Sequence, residues 1–316
     1  MLQLVYDIMP YAIMFTAPLL LAALGGLISE RSGVVNIALE GIMIVGSFVS
    51  AIIINLNYSG DYSLVWYALL LSGLAGMAFS LLHAFASISL SANQVISGTA
   101  LNLLAPALTI FLAKKFTGTQ NVSVSQGVKR VTYEGLGNIP FIGKVFFTNT
   151  YMTSFLTLVV LIIVWYIVFK TRFGLRLRAC GENPSAADSL GINVYKMRYV
   201  GVLASGFLAG LAGGVYVLTI PGQFTGEVAG FGFLALAGLI FGKWKPFLVL
   251  GACFFFAFTK TLATVSPVNA TLQQLNLPME FYNAIPYVVT IIALVLFANN
   301  TVGPKASGEP YDKGKR

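Results

Sequence analysis

The sequence predicts an all-α polytopic membrane protein with about nine transmembrane helices, a tenth being left open. Of its 316 residues, 57% are hydrophobic and only 9% are charged, and the mean hydropathy is +0.82. A soluble domain carries about 25% charged residues, so a soluble fold is excluded. Backbone groups inside a bilayer need partners within the protein, which makes helices the default. We expect some of these helices to be short or broken.

Nine apolar windows set the order of the elements. Most are near the ~20 residues that a helix needs to span a bilayer. Two windows are shorter, and short glycine-rich windows often mark broken helices that line a pathway. The windows are 8–28, 34–54, 64–90, 94–113, 151–169, 199–220, 228–242 (short), 247–266 and 284–299 (short).

The distribution of Lys and Arg predicts the orientation in the cell membrane. The loop at 170–198 has six Lys and Arg but only two acidic residues. If this loop is cytoplasmic, alternation of the spans places the N terminus outside and the C terminus inside. Residues 1–300 then form the transmembrane domain, with an extracellular loop at 114–150. Residues 301–316, rich in Gly, Pro and Lys, are expected to be a disordered cytoplasmic tail.

Local signals predict a short capped helix within the loop at 170–198. Asn183 suits the N-cap, Pro184 suits the first helical position and Gly191 suits the helix stop. A capped helix rimmed by positive charge is typical of a docking element for a partner at the membrane surface. An ordinary positively charged cytoplasmic loop explains the charges equally well, but it explains the caps less well.

Small residues recur every four positions in the apolar window that follows this loop. This spacing puts small side chains on one helix face, which allows another membrane helix to approach closely. The first row is Gly201, Ser205, Ala209 and Gly213, and the second is Gly206, Gly210 and Gly214.

Two polar clusters interrupt the apolar windows and are candidates for the substrate pathway. Asn36 and Glu40 lie four residues apart, on one helix face. A carboxylate within a span is costly and is by default a functional-site hypothesis. Asn93, Gln94 and Asn102 offer amide donors and acceptors that suit sugar hydroxyls or purine edges. A structural role stays open for both clusters, Glu40 as an anchor for a neighbouring helix and the amides as links between helices.

The sequence contains no catalytic or metal-binding pattern. His83 is the single histidine, so a metal site or relay has no second imidazole, and a packed, hydrogen-bonded histidine is favoured. No Gly-Lys pair has the spacing of a P-loop. We therefore expect a chain that is not an enzyme and binds no metal or cofactor, with any ATP used by a separate subunit. The net charge of +8 suits anionic lipid head groups and does not call for nucleic acid.

Three segments carry a resemblance to a known family. The sequence ACGENPSAA at 179–187, followed by GIN at 191–193, resembles the coupling loop of ABC importer permeases of the ribose and branched-chain amino acid type. GGLISERSGVVNIALEG at 25–41 looks like the signature of that family's nucleoside and simple-sugar branch. GFGFLALAG at 230–238, followed by GKWKP at 242–246, resembles a later segment of the same family, with Lys243 and Lys245 as a slight departure.

The resemblance implies the permease subunit of an ATP-driven importer that passes a nucleoside or simple sugar into the cytoplasm. It also implies a cytoplasmic ABC ATPase subunit, a second permease subunit and an extracellular solute-binding lipoprotein. We expect the two permease subunits to form a heterodimer, a homodimer being left open. The short capped helix would then be the coupling helix that contacts the ATPase. The residues that the resemblance assigns to this coupling are Gly181, Glu182, Asn183, Ala186, Ala187, Gly191 and Ile192.

Two other functions compete with this interpretation. An ion-coupled secondary transporter of a small polar solute would use Glu40 as its coupling site. Such a carrier has no need for a capped helix at 183–191, and it would need further intramembrane acids for a proton or sodium relay. An intramembrane enzyme would need paired catalytic groups, which the sequence lacks.

Overall fold

The computed structural model describes residues 2–57, 61–137, 139–265 and 303–314, with isolated positions between 278 and 295. These residues are mostly helical, with four two-residue strands. The helices are Leu2–Arg31 (α1), Leu39–Leu56 (α2), Ser63–Ala84 (α3), Gln94–Thr117 (α4), Met152–Lys170 (α5), Arg172–Glu182 (α6), Pro184–Ser189 (α7), Val194–Thr219 (α8), Phe231–Phe241 (α9) and Pro246–Val265 (α10). The strands are Val122–Ser123 (β1), Arg130–Val131 (β2), Thr150–Tyr151 (β3) and Gln223–Phe224 (β4).

Seven helices in the described part of the chain are long and apolar enough to cross a membrane. They are α1, α2, α3 with the π-helical turn that follows it, α4, α5, α8 and α10. The predicted short window at 228–242 is confirmed as short, because α9 has only 11 residues. The ninth predicted window, 284–299, lies outside the continuously described residues. The structure is thus a multi-pass helical membrane protein with seven candidate spans among the described residues.

The connecting segments gather at two opposite ends of the helices. At one end, β1 pairs with β4 and β2 with β3, and Asn55 of α2 donates a hydrogen bond to Ser123 O at 3.0 Å. At the other end, Arg31 of α1 lies 3.5 Å from Glu182 of α6 and donates to Trp244 O in the turn between α9 and α10. We call these ends the β side and the α7 side. The loop at 170–198 and the α9–α10 turn share one side, as the alternation of spans predicts.

The small residues of α8 make it the central helix, packed against α1, α2 and α3. Gly213 lies against the backbone carbonyl of Met43 in α2, and Gly210 lies against Ser72 O and Gly76 in α3. Any side chain at these two positions would collide with backbone atoms. The predicted use of small residues for close helix approach is therefore confirmed.

The loop at 170–198 holds one helix more than the sequence predicts. Helix α6 precedes α7, and its N-cap is Thr171, whose Oγ1 accepts a hydrogen bond from Gly174 N at 3.1 Å. Basic residues dominate this segment, so the sequence did not reveal that one side of α6 is apolar and buried against the rest of the protein. The buried residues of α6 are Gly174, Leu177, Cys180 and Gly181.

Residues 303–314, which we call the tail, differ from the predicted disorder. Ala306 N donates to Gly181 O at 2.9 Å, and Arg198 Nη1 donates to Glu309 O at 2.8 Å. Ala306 and Tyr311 are buried. Composition predicts disorder here, but these hydrogen bonds and one buried aromatic ring hold the tail against the α7 side. The structure therefore corrects the predicted disorder for residues 303–314.

We expect Gly210→Ala to be less stable than Gly251→Ala. Both changes add one methyl group within a helix and gain the same helix propensity, about 1 kcal/mol. An added Cβ at Gly210 collides with α3, whereas an added Cβ at Gly251 has nothing within 4 Å. Overpacking costs about 1–3 kcal/mol, so Gly210→Ala should lower the melting temperature of the detergent-purified protein. Equal melting temperatures for the two variants would contradict the close contact between α8 and α3.

Candidate functional site

Residues 32–38 separate α1 from α2 without forming a helix, and most of them are buried. We call this segment the α1–α2 break. Buried backbone groups cost free energy unless they are hydrogen-bonded, so each needs a partner. The last turn of α1 supplies the first ones, since Gly33 N donates to Glu30 O at 3.0 Å and Val34 N donates to Ser29 O at 3.2 Å. Ser29 Oγ also donates to Val34 O at 2.7 Å.

Two amide side chains of α4 provide partners for further backbone groups of the break and for the start of α2. Gln94 Oε1 accepts a hydrogen bond from Val35 N at 2.7 Å. Asn102 Nδ2 donates to Ile37 O at 2.9 Å, and its Oδ1 accepts from Gly41 N at 2.8 Å. The two amides are about two helical turns apart, so both lie on the face of α4 that meets the break. These hydrogen bonds match the alternative in which the amides link helices, while a role in the substrate pathway stays a prediction.

His83 of α3 is buried beside the break and contributes a further hydrogen bond. Its Nε2 lies 3.0 Å from Val35 O, and its Nδ1 lies 3.0 Å from Ser97 Oγ. A carbonyl oxygen can only accept, so Nε2 carries the proton and, in the neutral ring, Nδ1 accepts from the Ser97 hydroxyl. The packed, hydrogen-bonded histidine that the sequence favours is thus what the structure contains.

Asn36 and Gln94 each keep one buried polar atom without a hydrogen-bond partner. Asn36 Nδ2 donates to Ser205 Oγ of α8 at 2.9 Å. By contrast, Asn36 Oδ1 and Gln94 Nε2 have no partner among the described residues, although the two residues are only 0% and 2% exposed. One of these atoms is an acceptor and the other a donor. Both could bind water or a polar group of a solute.

Glu40 holds the start of α9. Its Oε1 accepts from Gly230 N at 2.9 Å, and its Oε2 accepts from Gly232 N at 2.6 Å. Gly230 is the N-cap of α9 and has a φ of 76°, while Gly232 lies directly against the backbone of Glu40. A carboxylate at a helix N-terminus satisfies free N–H groups and complements the helix dipole. Of the two roles that the sequence leaves open for Glu40, this geometry matches the structural anchor.

The five predicted pathway residues therefore do not form one cluster. Asn36, Gln94 and Asn102 meet at the α1–α2 break, whereas Glu40 faces α9. Asn93 is an exposed N-cap of α4, and its Oδ1 accepts from the backbone N–H groups of Val95 and Ile96 at 2.9 and 3.1 Å. The sequence predicted a polar cluster at the start of α4, but it could not separate the capping residue from the residues that face the break.

The short helix in the loop at 170–198 has the predicted caps. Asn183 Oδ1 accepts from Ala186 N at 3.0 Å, Pro184 occupies the first turn, and Gly191 follows the helix with a φ of 79°. Of the predicted coupling residues, Glu182, Asn183, Ala186 and Gly191 are exposed, Ile192 is half-buried, and Gly181 and Ala187 are buried.

Leu190 is the residue of this surface that sequence reasoning missed. It follows α7 directly, and 83% of its surface is exposed. Single exposed apolar side chains are common on protein surfaces, so exposure alone assigns Leu190 no role. Its place directly after the capped helix makes it a candidate contact residue. Its position as the C-cap of α7, next to Gly191, was the signal that could have identified it.

A second group of contacts joins the α9–α10 turn and the end of α6 to the end of α1. Trp244 Nε1 donates to Glu30 Oε2 at 2.6 Å, and Arg31 Nη2 donates to Trp244 O at 3.1 Å. Arg31 also pairs with Glu182, the predicted coupling acid, at 3.5 Å. Glu182 is half-exposed, so this ion pair leaves it accessible to a partner.

The chain matches known transport proteins over nearly its full length. Residues 8–294 match the family described as the permease component of the branched-chain amino acid transport system. The guanosine ABC transporter permease protein NupQ of Bacillus subtilis is 46% identical over 99% of each chain. The nucleoside ABC transporter permease protein NupC of Lactococcus lactis is 44% identical over 96% of each chain. A second guanosine permease protein of B. subtilis, NupP, is 26% identical over 75% of this chain and 68% of its own. No solved structure matches the chain.

We expect Asn102→Ala to destabilise the protein more than Thr99→Ala does. Asn102→Ala leaves Ile37 O and Gly41 N without their side-chain partner, and an unmade buried hydrogen bond costs about 1–3 kcal/mol. Thr99 lies on the same helix but is exposed and only bonds back to Val95 O. The melting temperature of each purified variant tests this difference. If Asn102→Ala, Thr99→Ala and the wild type have equal melting temperatures, the hydrogen bonds from Asn102 do not stabilise the break.

Proposed function

The chain belongs to the family of branched-chain amino acid transport system permease components and is the permease subunit of an ABC importer, and we propose that it carries nucleosides. The observation that carries this proposal is the identity of 46% and 44% to permease proteins named for guanosine and for nucleosides. The permease is not an enzyme itself, because ATP is hydrolysed by a separate ATPase subunit.

The chemistry of the α1–α2 break supports a nucleoside as the solute. A nucleoside has a base edge with donors and acceptors, together with ribose hydroxyls. The unpaired Oδ1 of Asn36 and the unpaired Nε2 of Gln94 offer one acceptor and one donor for such groups. We therefore propose that the solute passes beside the break. Asn102, Asn93 and Glu40 support this path through the backbone and through helix caps, because their side chains already bind protein groups.

A second permease subunit is part of the proposed importer. Two guanosine permease proteins of B. subtilis, NupQ and NupP, match this chain, which is much more similar to NupQ than to NupP. We infer that this chain also pairs with a different permease chain, as a heterodimer. The resemblance further implies an extracellular solute-binding lipoprotein, which would contact the β side of the pair.

The α7 side is the proposed docking face for the ATPase subunit. Helix α7 presents Ser185, Ala186 and the large side chain of Leu190 to the exterior. The basic residues of the same loop favour the cytoplasmic side of a membrane, where an ATPase subunit is located. This orientation puts the start of α1 outside the cell and the tail inside.

The ion-coupled alternative receives no support from the position of Glu40. A coupling carboxylate has to exchange protons or ions with a pathway. Both oxygens of Glu40 instead accept backbone hydrogen bonds from the first residues of α9. Releasing this carboxylate would leave the N-terminus of α9 without its partner.

We expect cells with the complete importer to take up radiolabelled guanosine. Unlabelled purine and pyrimidine nucleosides should compete with it, and ribose should not, because ribose lacks the base whose edge the free amide atoms would bind. The control is the same strain without this chain, which should lose most of the uptake. Competition by ribose at the concentration where nucleosides compete would show that the transported solute is a simple sugar instead.

We expect Leu190→Glu to weaken the association with the ATPase subunit about tenfold or more, since burying a Leu side chain contributes about 1.5–3 kcal/mol. Leu136→Glu is the matched control, because Leu136 is also exposed but belongs to the loop on the β side. The measurement is the amount of ATPase subunit that copurifies with each variant. Equal copurification of Leu190→Glu and the control would contradict docking at α7.

A further inference from the structure

The tail makes contact with two parts of the α7 side at once. Ala306 N donates to Gly181 O of α6 at 2.9 Å, and Lys313 Nζ lies 3.6 Å from Asp188 Oδ1 of α7. The Tyr311 ring packs on the Tyr195 ring with centroids 5.5 Å apart, and the Tyr195 hydroxyl donates to Tyr311 O at 3.3 Å. The tail thus contacts α6 through Gly181 O and α7 through Asp188.

Arg198 connects the tail with the α1–α2 break. This side chain is only 1% exposed, and its Nη1 donates to Glu309 O at 2.8 Å. The ring of Tyr311 lies 6.0 Å from its guanidinium carbon. On its other side, the guanidinium lies against Gly33, where an added Cβ would be 2.9 Å from Nη2. A buried cation depends strongly on its few partners, so the tail fixes where Arg198 lies against the break.

The exposed residues of α7 remain free of the tail. Ser185, Ala186 and Leu190 face outward, while the contacts with the tail involve Asp188 and the segment that follows α7. A partner could therefore dock on α7 while the tail stays in place. This arrangement separates the docking face of α7 from the contacts that hold it.

We propose that the tail is a positioning segment that joins α7 and the α1–α2 break into one unit, so that a docked ATPase subunit acts on the break. This proposal rests on the proposed docking at α7. It assigns to Tyr311 and Arg198 a role in coupling, through position and without contact with the solute. The competing interpretation is that the tail only shields a buried arginine and contributes to stability.

The test uses the complete importer reconstituted in vesicles, with Tyr311→Ala as the variant. Tyr311→Phe keeps the ring against Arg198 and Tyr195 and is the conservative rescue. Lys305→Glu changes an exposed tail residue and is the second control. The readouts on the unlabelled importer are nucleoside uptake per transporter, nucleoside-dependent ATPase activity and the amount of bound ATPase subunit. The mobility of a spin label on Ser185→Cys is measured separately, on the purified permease pair without the ATPase subunit. Burial raises the pKa of the native Cys180 thiol to about 11, which keeps it unreactive toward the label.

We expect Tyr311→Ala to retain the ATPase subunit. Uptake and nucleoside-dependent ATPase activity should fall about five- to tenfold, because this is the size of effect expected when a modest coupling free energy between two sites is lost. The label on α7 should become more mobile, and both controls should match the wild type. Lower protein yield with normal uptake per transporter would show that the tail only stabilises the fold, which overturns the proposal. Normal uptake and unchanged label mobility would overturn it as well.

The outcome with Leu190→Glu separates this proposal from the docking assignment. If Leu190→Glu loses the ATPase subunit while Tyr311→Ala transports normally, docking at α7 stands and the role of the tail fails. If Leu190→Glu keeps the ATPase subunit and transports normally, docking at α7 itself has failed.

Discussion

Buried backbone that is not helical must find its hydrogen bonds within the protein, and this constraint fixes several buried polar side chains around the α1–α2 break. The α1–α2 break has more N–H and C=O groups than the last turn of α1 can satisfy. Side chains from α3 and α4 add three further bonds, so His83, Gln94 and Asn102 lie where that backbone requires them. The break therefore determines how α3 and α4 pack against α1 and α2.

Helix α8 meets the same break along one of its faces. Arg198 lies against Gly33, Gly201 lies against Ser32, and Ser205 accepts a hydrogen bond from Asn36. These α8 positions are spaced by three and four residues, so they share one face over about two turns. Because Gly201 is small, Arg198 and Ser205 on either side of it can reach the break. A single helix thus contacts the break, α2 and α3, and its first turns carry the arginine that the tail covers.

Local signals predicted local structure well. The cap of α7 depends on Asn183, Pro184 and Gly191, which act within a few residues of one another, so the sequence sufficed. The spacing of small residues in α8 likewise predicted close packing. For Glu40 and Asn102 the sequence left a pathway role and a structural role both open, because their partners are distant in sequence and only the fold brings them together. The tail was misjudged for a similar reason, since its partners Gly181 and Arg198 lie more than a hundred residues earlier.

The path from α7 to the break is short in space although it is long in sequence. Gly181, at the end of α6, lies against the backbone of Arg31 and Gly33 with no room for a side chain. Packed contacts of this kind are nearly incompressible, so a displacement of α6 and α7 cannot be absorbed locally. Under the proposed docking, the tail would make α7 move with α6, and the break would follow α6 and keep or exchange its hydrogen bonds to α4 and α8. With an ATPase subunit on α7, the exchange of these hydrogen bonds is where docking and solute passage would be coupled.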